Sequence, residues 1–376
     1  MIKYLRIKNF KSLKSIHLKP TNLNLCFGMN GMGKSTLLQA LLLLRQSHQK
    51  GALETKGLLL QGGDLISIGT GKDAFYQFAG KEEPLQFEIH TTERLKYQWS
   101  FLLDAASDIL PVAPGTESAA ADYSTLDSFP LFNQNFSYLS ADRLSPQKVY
   151  SKSEYEVGRN RSIGARGEYA VHYLSRFGLS EKIEFQNLRH ENAKSDNLLH
   201  QTIGWLSEIS PGARLMIEDV KGADLLKLGI QFETQSGYTN EFSPINVGFG
   251  ILYVLPVILA LLMARPGDLV LIENPESHLH PKGQSAIGRL LAAAAANGVQ
   301  IFCESHSDHI INGVRVAVKE GIIQQNQLAV YYFSRDLQAE EHKTEITEIL
   351  VDRHGELNHY PEGLLDEWTN LLVKLI

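Results

Sequence analysis

The chain has 376 residues, enough for two domains or one large composite one, and 43% hydrophobic with 21% charged residues permits a sizeable globular core. A net charge of −6 excludes global attraction to nucleic acid or to an anionic membrane, so any such contact must come from a local basic patch. Two cysteines, Cys26 and Cys303, supply neither a disulfide framework nor a C-x-x-C metal site and fit a reducing cytoplasm.

The start, Met1 to Ile7, alternates like a strand and lacks the apolar stretch of a secretory signal. Leu5 to Leu13 reads as strand, followed by a turn and a second strand, Leu23 to Phe27. The residues Gly28-Met29-Asn30-Gly31-Met32-Gly33-Lys34-Ser35 then fit the spacing G-x-x-x-x-G-K-[ST], and a helical run continues from Thr36 to Leu44. Glycines let the backbone curl so that its N–H groups face phosphate, Lys34 reaches the β and γ oxygens, and the Ser35 hydroxyl can ligate Mg²⁺. The helix start adds partial positive charge. Asn30, Gly31, Gly33, Lys34, Ser35 and Thr36 are therefore the expected contacts of a nucleoside triphosphate.

Glycine-rich turns at 61–64 and 69–73 precede the alternating runs 85–89 and 97–101, which predict an antiparallel β subdomain. Residues 105–128, rich in Ala, Ser, Asp and Pro, read as an exposed loop, and strand pattern returns at 136–140. The stretch 150–245 mixes helical segments with short strands such as 228–232 and shows no heptads, so no long coiled coil is expected. From 246 the order is helix (250–264), strand (269–272), helix (283–296), strand (299–303), helix (308–319), strand (328–333), which predicts a parallel sheet covered by helices. The longest apolar run, Val254 to Ala264, is shorter than the ~18 residues of a membrane span and reads as a buried helix with Pro256 near its start. No membrane partner is expected. Three regions follow: 1–149 with the phosphate loop and antiparallel strands, 150–245 as a helical lobe, and 246–376 as the rest of the nucleotide-binding part.

In that last region, Leu269-Val270-Leu271-Ile272-Glu273-Asn274-Pro275-Glu276 is an apolar strand ending in acids, the layout of a Walker B segment. One carboxylate at such a strand end can hold hydrated Mg²⁺ and a second can orient the attacking water; the two here are Glu273 and Glu276. Four histidines invite a metal reading through His278-x-His280 and His306-x-x-His309, but no cysteine or shared helix face joins the pairs. His306, at the exit of a strand, is the better candidate as donor to a γ-phosphate.

The phosphate loop, the sequence Pro275-Glu276-Ser277-His278-Leu279-His280-Pro281, Glu304-Ser305-His306-Ser307, and the opening Ile7-Lys8-Asn9-Phe10-Lys11-Ser12 together resemble ABC-type ATPases of the RecF, SMC and OLD group. They resemble especially its stand-alone bacterial members, whose chains end in a segment like Gly355 to Glu367. The resemblance implies an α/β fold: an ABC-type P-loop head, with a mixed sheet flanked by helices, an antiparallel β subdomain and a helical lobe. It implies ATP and Mg²⁺ as cofactors, with Ser35 and Glu273 on the metal. It also implies an ATP-dependent homodimer, in which a signature loop of one copy closes on the γ-phosphate held by the other. Here Asn246-Val247-Gly248-Phe249-Gly250 takes the place of L-S-x-G, so Gly250 and Gly248 are the cofactor contacts and a hydroxyl ligand is missing. Family members usually read D-E-P-E where this chain has Glu273-Asn274-Pro275-Glu276. Asn274 thus stands where the catalytic glutamate belongs, and an amide can orient water but cannot take its proton. Gln61 and Gln147 are both candidates for the glutamine that senses Mg²⁺. Ser140-Ala141-Asp142-Arg143-Leu144-Ser145-Pro146 matches a group turn whose arginine faces phosphate or the opposing head, or else is structural.

Arg159, Arg161 and Arg166 form the one dense basic loop, able to contact DNA or RNA or an acidic protein. The resulting expectation is a cytoplasmic switch ATPase that controls a separately encoded effector in anti-phage defence, with no nuclease centre of its own. A RecF-like repair ATPase and a nucleotide-locked scaffold with little turnover are the alternatives.

Overall fold

The computed structural model of the protein describes residues 1–80, 82–114 and 123–375. In chain order its strands and helices are β1 (Ile2–Phe10), β2 (Leu13–Leu18), β3 (Leu23–Phe27), α1 (Lys34–Gln49), β4 (Leu58–Leu59), α2 (Gly71–Ala74), β5 (Leu85–Thr91), β6 (Lys96–Phe101), β7 (Ile109–Leu110) and β8 (Phe136–Leu139). They continue with β9 (Val149–Ser151), α3 (Ala170–Phe177), α4 (Leu198–Ser207), β10 (Ala213–Asp219), β11 (Leu225–Thr234), β12 (Gly237–Tyr238), α5 (Phe249–Met263) and β13 (Leu269–Glu273). The last are α6 (Pro281–Ala296), β14 (Gln300–Glu304), α7 (Asp308–Lys319), β15 (Leu328–Ser334), β16 (Glu345–Ile349) and α8 (Glu367–Leu375). The chain divides into two units, Met1–Phe136 with Leu328–Val351 and Leu357–Ile376, and Ser137–Gln327 with Asp352–Glu356.

In the first unit, β1 alternates buried Leu5 and Ile7 with half-buried Arg6 and Lys8, and lies between β2 and β5, with β6 beyond. This is the antiparallel subdomain that the alternating runs predict. The single strand expected over Leu5–Leu13 is instead a hairpin: Phe10 pairs with Leu13, and Asn9 (φ 58°) and Lys11 (φ 51°) turn the chain in the left-handed region. Buried Phe10 and Leu13 on either side of the turn mimic a continuing alternation. All five residues of β3 are buried, as a strand covered on both faces requires; β3 pairs parallel with β15, which pairs antiparallel with β16. The arrangement is mixed, as the resemblance implies, where the strand–helix alternation from 246 by itself predicts a parallel sheet. Of the expected loop at 105–128, residues 115–122 lie outside the described residues; around them are β7 and a 3₁₀ turn, Tyr123–Ser128.

In the second unit, β13 and β14 pair parallel with Glu273 opposite Glu304, and β8 lies on the other side of β13. The strand β10 pairs with β11 in an antiparallel ladder beneath α3 and α4. Helix α5 is apolar on nearly every face and almost wholly buried, the pattern of a core helix. Pro256 sits inside α5, not near its start, because the helix begins at Phe249. It removes one backbone donor to the carbonyl four residues earlier, and its ring rests against Gly167, where a Cβ would lie 2.3 Å from Pro256 Cγ. Among the described residues no helix is long and apolar enough to cross a membrane.

Candidate functional site

The residues singled out by sequence fall in both units. In the first unit, buried β3 delivers the loop Gly28–Gly33 to the start of α1. Gly28 has φ +137°, and a Cβ there would stand 2.2 Å from the carbonyl oxygen of Phe333 on neighbouring β15, so no side chain fits. Gly33 (φ +97°) is the residue before the helix and offers no side-chain cap, and the first turn of α1 carries no acid. The amides of that turn therefore keep the partial positive charge that favours an anion. Asn30 and Gly31 are exposed, Ser35 is half-buried and Thr36 is buried. Lys34 is 3% exposed, and its Nζ donates to the carbonyls of Gly28 and Met29, both at 2.8 Å, holding the ammonium within the curl of the loop.

The underside of the loop is braced from two distant segments. Thr344 Oγ1 lies 2.9 Å from Met32 O and 2.8 Å from Ser12 Oγ, and the Thr344 amide donates to Ser12 O at 2.8 Å. Neither Ser12 nor Thr344 was marked as part of the site by sequence. Ser12 had a signal, as the last residue of the I-x-N-F-k-S opening; Thr344 had none. Gln61 is half-buried in this unit, and Gln147, in the other, is exposed with its amide donating to Tyr150 Oη at 3.3 Å.

In the second unit, the end of β13 is enclosed by a polar network. Glu273 Oε1 accepts from the Tyr138 hydroxyl (3.1 Å) and Oε2 from the Ala141 amide (3.2 Å). Burial raises the Glu273 carboxyl above its usual range, against the pull of those hydrogen bonds, and burial together with Glu273 raises the Tyr138 hydroxyl. Arg143 is 1% exposed, and its terminal nitrogens donate to Glu273 O (2.5 Å) and Asn274 O (3.1 Å). Burial lowers its guanidinium to about 10. Of the two expectations for Arg143, the structural one holds: the side chain is spent on backbone carbonyls of the acidic strand's end. Asn274 has φ 45°, a left-handed conformation that asparagine tolerates better than glutamate does, and its amide donates to Glu304 O at 2.9 Å. Its Oδ1 is buried without a hydrogen-bond partner among the described residues.

Glu276 is 9% exposed; its Oε1 accepts from the His306 amide at 2.7 Å, and burial raises its carboxyl. The His306 ring is exposed, with Nε2 3.9 Å from Glu304 Oε1. Ser307 caps α7, accepting from the amides of His309 and Ile310. His280 Nδ1 caps α6, accepting from Lys282 N at 3.3 Å, while the His278 ring packs against Tyr253 with centroids 4.6 Å apart. The rings of His278, His280 and His306 thus have separate surroundings, and His309 contributes its backbone amide to the α7 cap. Gly248 precedes α5 with open space about its Cα, whereas a Cβ at Gly250 would meet His278 O at 2.6 Å.

The basic loop is largely occupied. Arg161 pairs with Glu181 and lies over the Phe177 ring at 4.0 Å, and Arg166 pairs with Asp142 at 3.2 Å; Arg159 is exposed. Cys26 and Cys303 are buried, and neither forms a disulfide among the described residues.

A glycine-turned loop leading from a buried parallel strand into a helix whose first residue is lysine, with an acidic strand end in the same chain, defines a P-loop ATPase head. The chain belongs to the family described as "AAA domain, putative AbiEii toxin, Type IV TA system", which matches residues 23–312. Residues 323–375 match a second family, described as "Protein of unknown function (DUF3696)". No curated protein matches the chain. Its fold is that of SMC heads: it is similar to a structure of the SmcHead bound to the C-winged helix domain of ScpA, with 15% identity, TM-score 0.55, and coverage of 94% of this chain and 98% of that one. Two further SMC heads, from Thermotoga maritima (11% identity, TM-score 0.46, 93% and 99% covered) and from Pyrococcus furiosus with an extended coiled coil bound to the C-terminal domain of ScpA (13% identity, TM-score 0.48, 100% and 99% covered), are more distant in geometry.

Proposed function

We propose that the protein binds and hydrolyses ATP with Mg²⁺ and acts as a switch that dimerises around the nucleotide. The observation that carries this reading is the junction of Gly33 and Lys34: a left-handed glycine opening an uncapped helix, with a buried ammonium held inside the loop. A triphosphate fits those residues, since the helix start offers partial positive charge and the lysine supplies the countercharge. Asn30, Gly31, Gly33, Lys34, Ser35 and Thr36 are the proposed phosphate contacts. Ser35 and Glu273 are the proposed ligands of Mg²⁺, which takes oxygen donors. Glu276 and Asn274 are assigned to the attacking water and His306 to the γ-phosphate. Gly248 and Gly250 are assigned to the nucleotide held by a second copy.

The family description, which names a type IV TA system, and a related fold that carries a bound winged-helix domain support control of a separately encoded protein partner in defence against phage. Repair in the manner of RecF is the second reading of the same head. The scaffold alternative draws on Asn274, whose φ of 45° suits asparagine whether or not it touches water. The deciding experiment is single-turnover hydrolysis of ATP by the full chain, with and without Mg²⁺, beside Lys34→Ala. Product formed only with Mg²⁺ and only with the lysine supports the switch ATPase, and bound ATP recovered intact supports the scaffold.

A further inference from the structure

We infer that the cleft at the C-terminal end of α7, in the second unit, is a separate site for a nucleotide phosphate. The cleft encloses about 420 Å³, within the range of small-molecule sites. Buried Val318 and Ile323 contribute apolar surface to it, and Lys319 and Arg353 supply two positive charges from separate segments. Among the described residues no carboxylate lines it. The nearest acids in sequence are already engaged: Glu320 pairs with Arg289 at 3.5 Å, and Asp352 Oδ1 accepts the amides of His354 and Glu356, both at 2.8 Å. Arg353 donates Nε to His354 Nε2 at 3.1 Å, and neither it nor Lys319 has an ion pair among the described residues. Lys319 also opposes the negative end of α7, but Arg353 belongs to a turn that has no such duty. Gln325 and Asn326 add side-chain amides, able to donate and accept, that make no hydrogen bond among the described residues. Paired cations, neutral amides and an aliphatic surface are the chemistry of the 5′-phosphate monoester of a nucleoside, either a free nucleotide or the 5′ end of a single-stranded nucleic acid.

The test uses the full chain carrying Lys34→Ala, which disables the phosphate loop. AMP, a short 5′-phosphorylated oligonucleotide and inorganic phosphate are each titrated by calorimetry, with and without Lys319→Glu and Arg353→Glu together. Binding of AMP or the oligonucleotide that weakens at least tenfold on charge reversal is the expected result, and the tighter of the two names the source. Gln325→Ala, which leaves the charges in place, should weaken the nucleotide but not phosphate. No binding by any probe, or binding indifferent to the charge reversal, overturns the site; inorganic phosphate binding as tightly as both other probes overturns the nucleotide class.

Discussion

The guanidinium of Arg143 donates to the backbone carbonyl of Glu273 over 2.5 Å, so the residue that ends the acidic strand is fixed through its main chain by a side chain buried from solvent. A second terminal nitrogen takes the next carbonyl, that of Asn274. Removing the guanidinium leaves two buried acceptors unpaired. Arg143→Met should therefore destabilise the protein by about 2 to 4 kcal/mol, with Arg143→Lys recovering part of the loss. Urea unfolding measures both, and a change within error for the methionine variant would mean that water replaces the arginine there.

Lys34→Ala removes the ammonium from the phosphate loop. Affinity for ATP should fall at least tenfold, roughly 1.4 kcal/mol, and the melting temperature without nucleotide should also fall, since the Gly28 and Met29 carbonyls lose their donor. Equal ATP affinities by calorimetry would remove the nucleotide assignment.

Asn274→Glu has two readouts of opposite sign. A left-handed backbone costs a non-glycine side chain about 1 to 2 kcal/mol, less for asparagine, so the glutamate should lower stability. If the native amide slows proton transfer, turnover should nonetheless rise tenfold or more. Reduced stability with an unchanged rate would detach Asn274 from the chemistry.

Gly248 and Gly250 separate steric blockage of an interface from damage to the fold. Gly248→Arg enters open space, whereas at Gly250 even a Cβ meets the His278 carbonyl. With a non-hydrolysable ATP analogue and Mg²⁺, light scattering should show a dimer for the native chain and a monomer of native stability for Gly248→Arg. Gly250→Arg should lower stability before any nucleotide is added. A dimer fraction unmoved by nucleotide and by Gly248→Arg would refute the sandwich.

The buried Glu276 carboxyl sets a pH dependence. Its folded pKa is raised above the unfolded value of 4.5. The stability it contributes is therefore fully present below pH 4.5 and is lost as pH rises through the folded value. Glu273 and Asp268 are shifted the same way, so Glu276→Gln removes one share only. Melting curves across pH should find Glu276→Gln more stable than the native chain near neutrality, with the gap closing toward pH 4.5; parallel curves would contradict the burial argument.

Much of this architecture was legible in the order of residues. The apolar strands β13, β14 and β15 and the helices between them were read within a residue or two, because a strand buried on both faces is a short unbroken apolar run between helix signals. The phosphate loop was legible because glycines at fixed spacing before Gly33-Lys34-Ser35 serve one geometry. What escaped depended on contacts distant in sequence or on backbone handedness. The hairpin at Asn9–Lys11 hid behind two buried residues, Phe10 and Leu13, that preserved the strand rhythm. Arg143 read equally as a contact to phosphate or the opposing head and as a structural residue, because charge alone does not reveal that both terminal nitrogens end on carbonyls. Tyr138 carried no sign that its hydroxyl would meet Glu273. Arg161 and Arg166 read as a free basic loop because Glu181 and Asp142, their partners, follow no local pattern.

The brace of Thr344 against Met32 and Ser12 has a consequence for biosynthesis. A chain made from its N-terminus exposes the glycine loop before the segments that brace it, and domains generally fold as they emerge. Yet β3 has its parallel partner only once Leu328–Ser334 has been added, and the loop's underside is closed only by a threonine further on. The loop is thus translated 312 residues before the threonine that closes its underside, so a nascent chain or one cut before Thr344 carries the phosphate-loop sequence without the geometry that this brace provides.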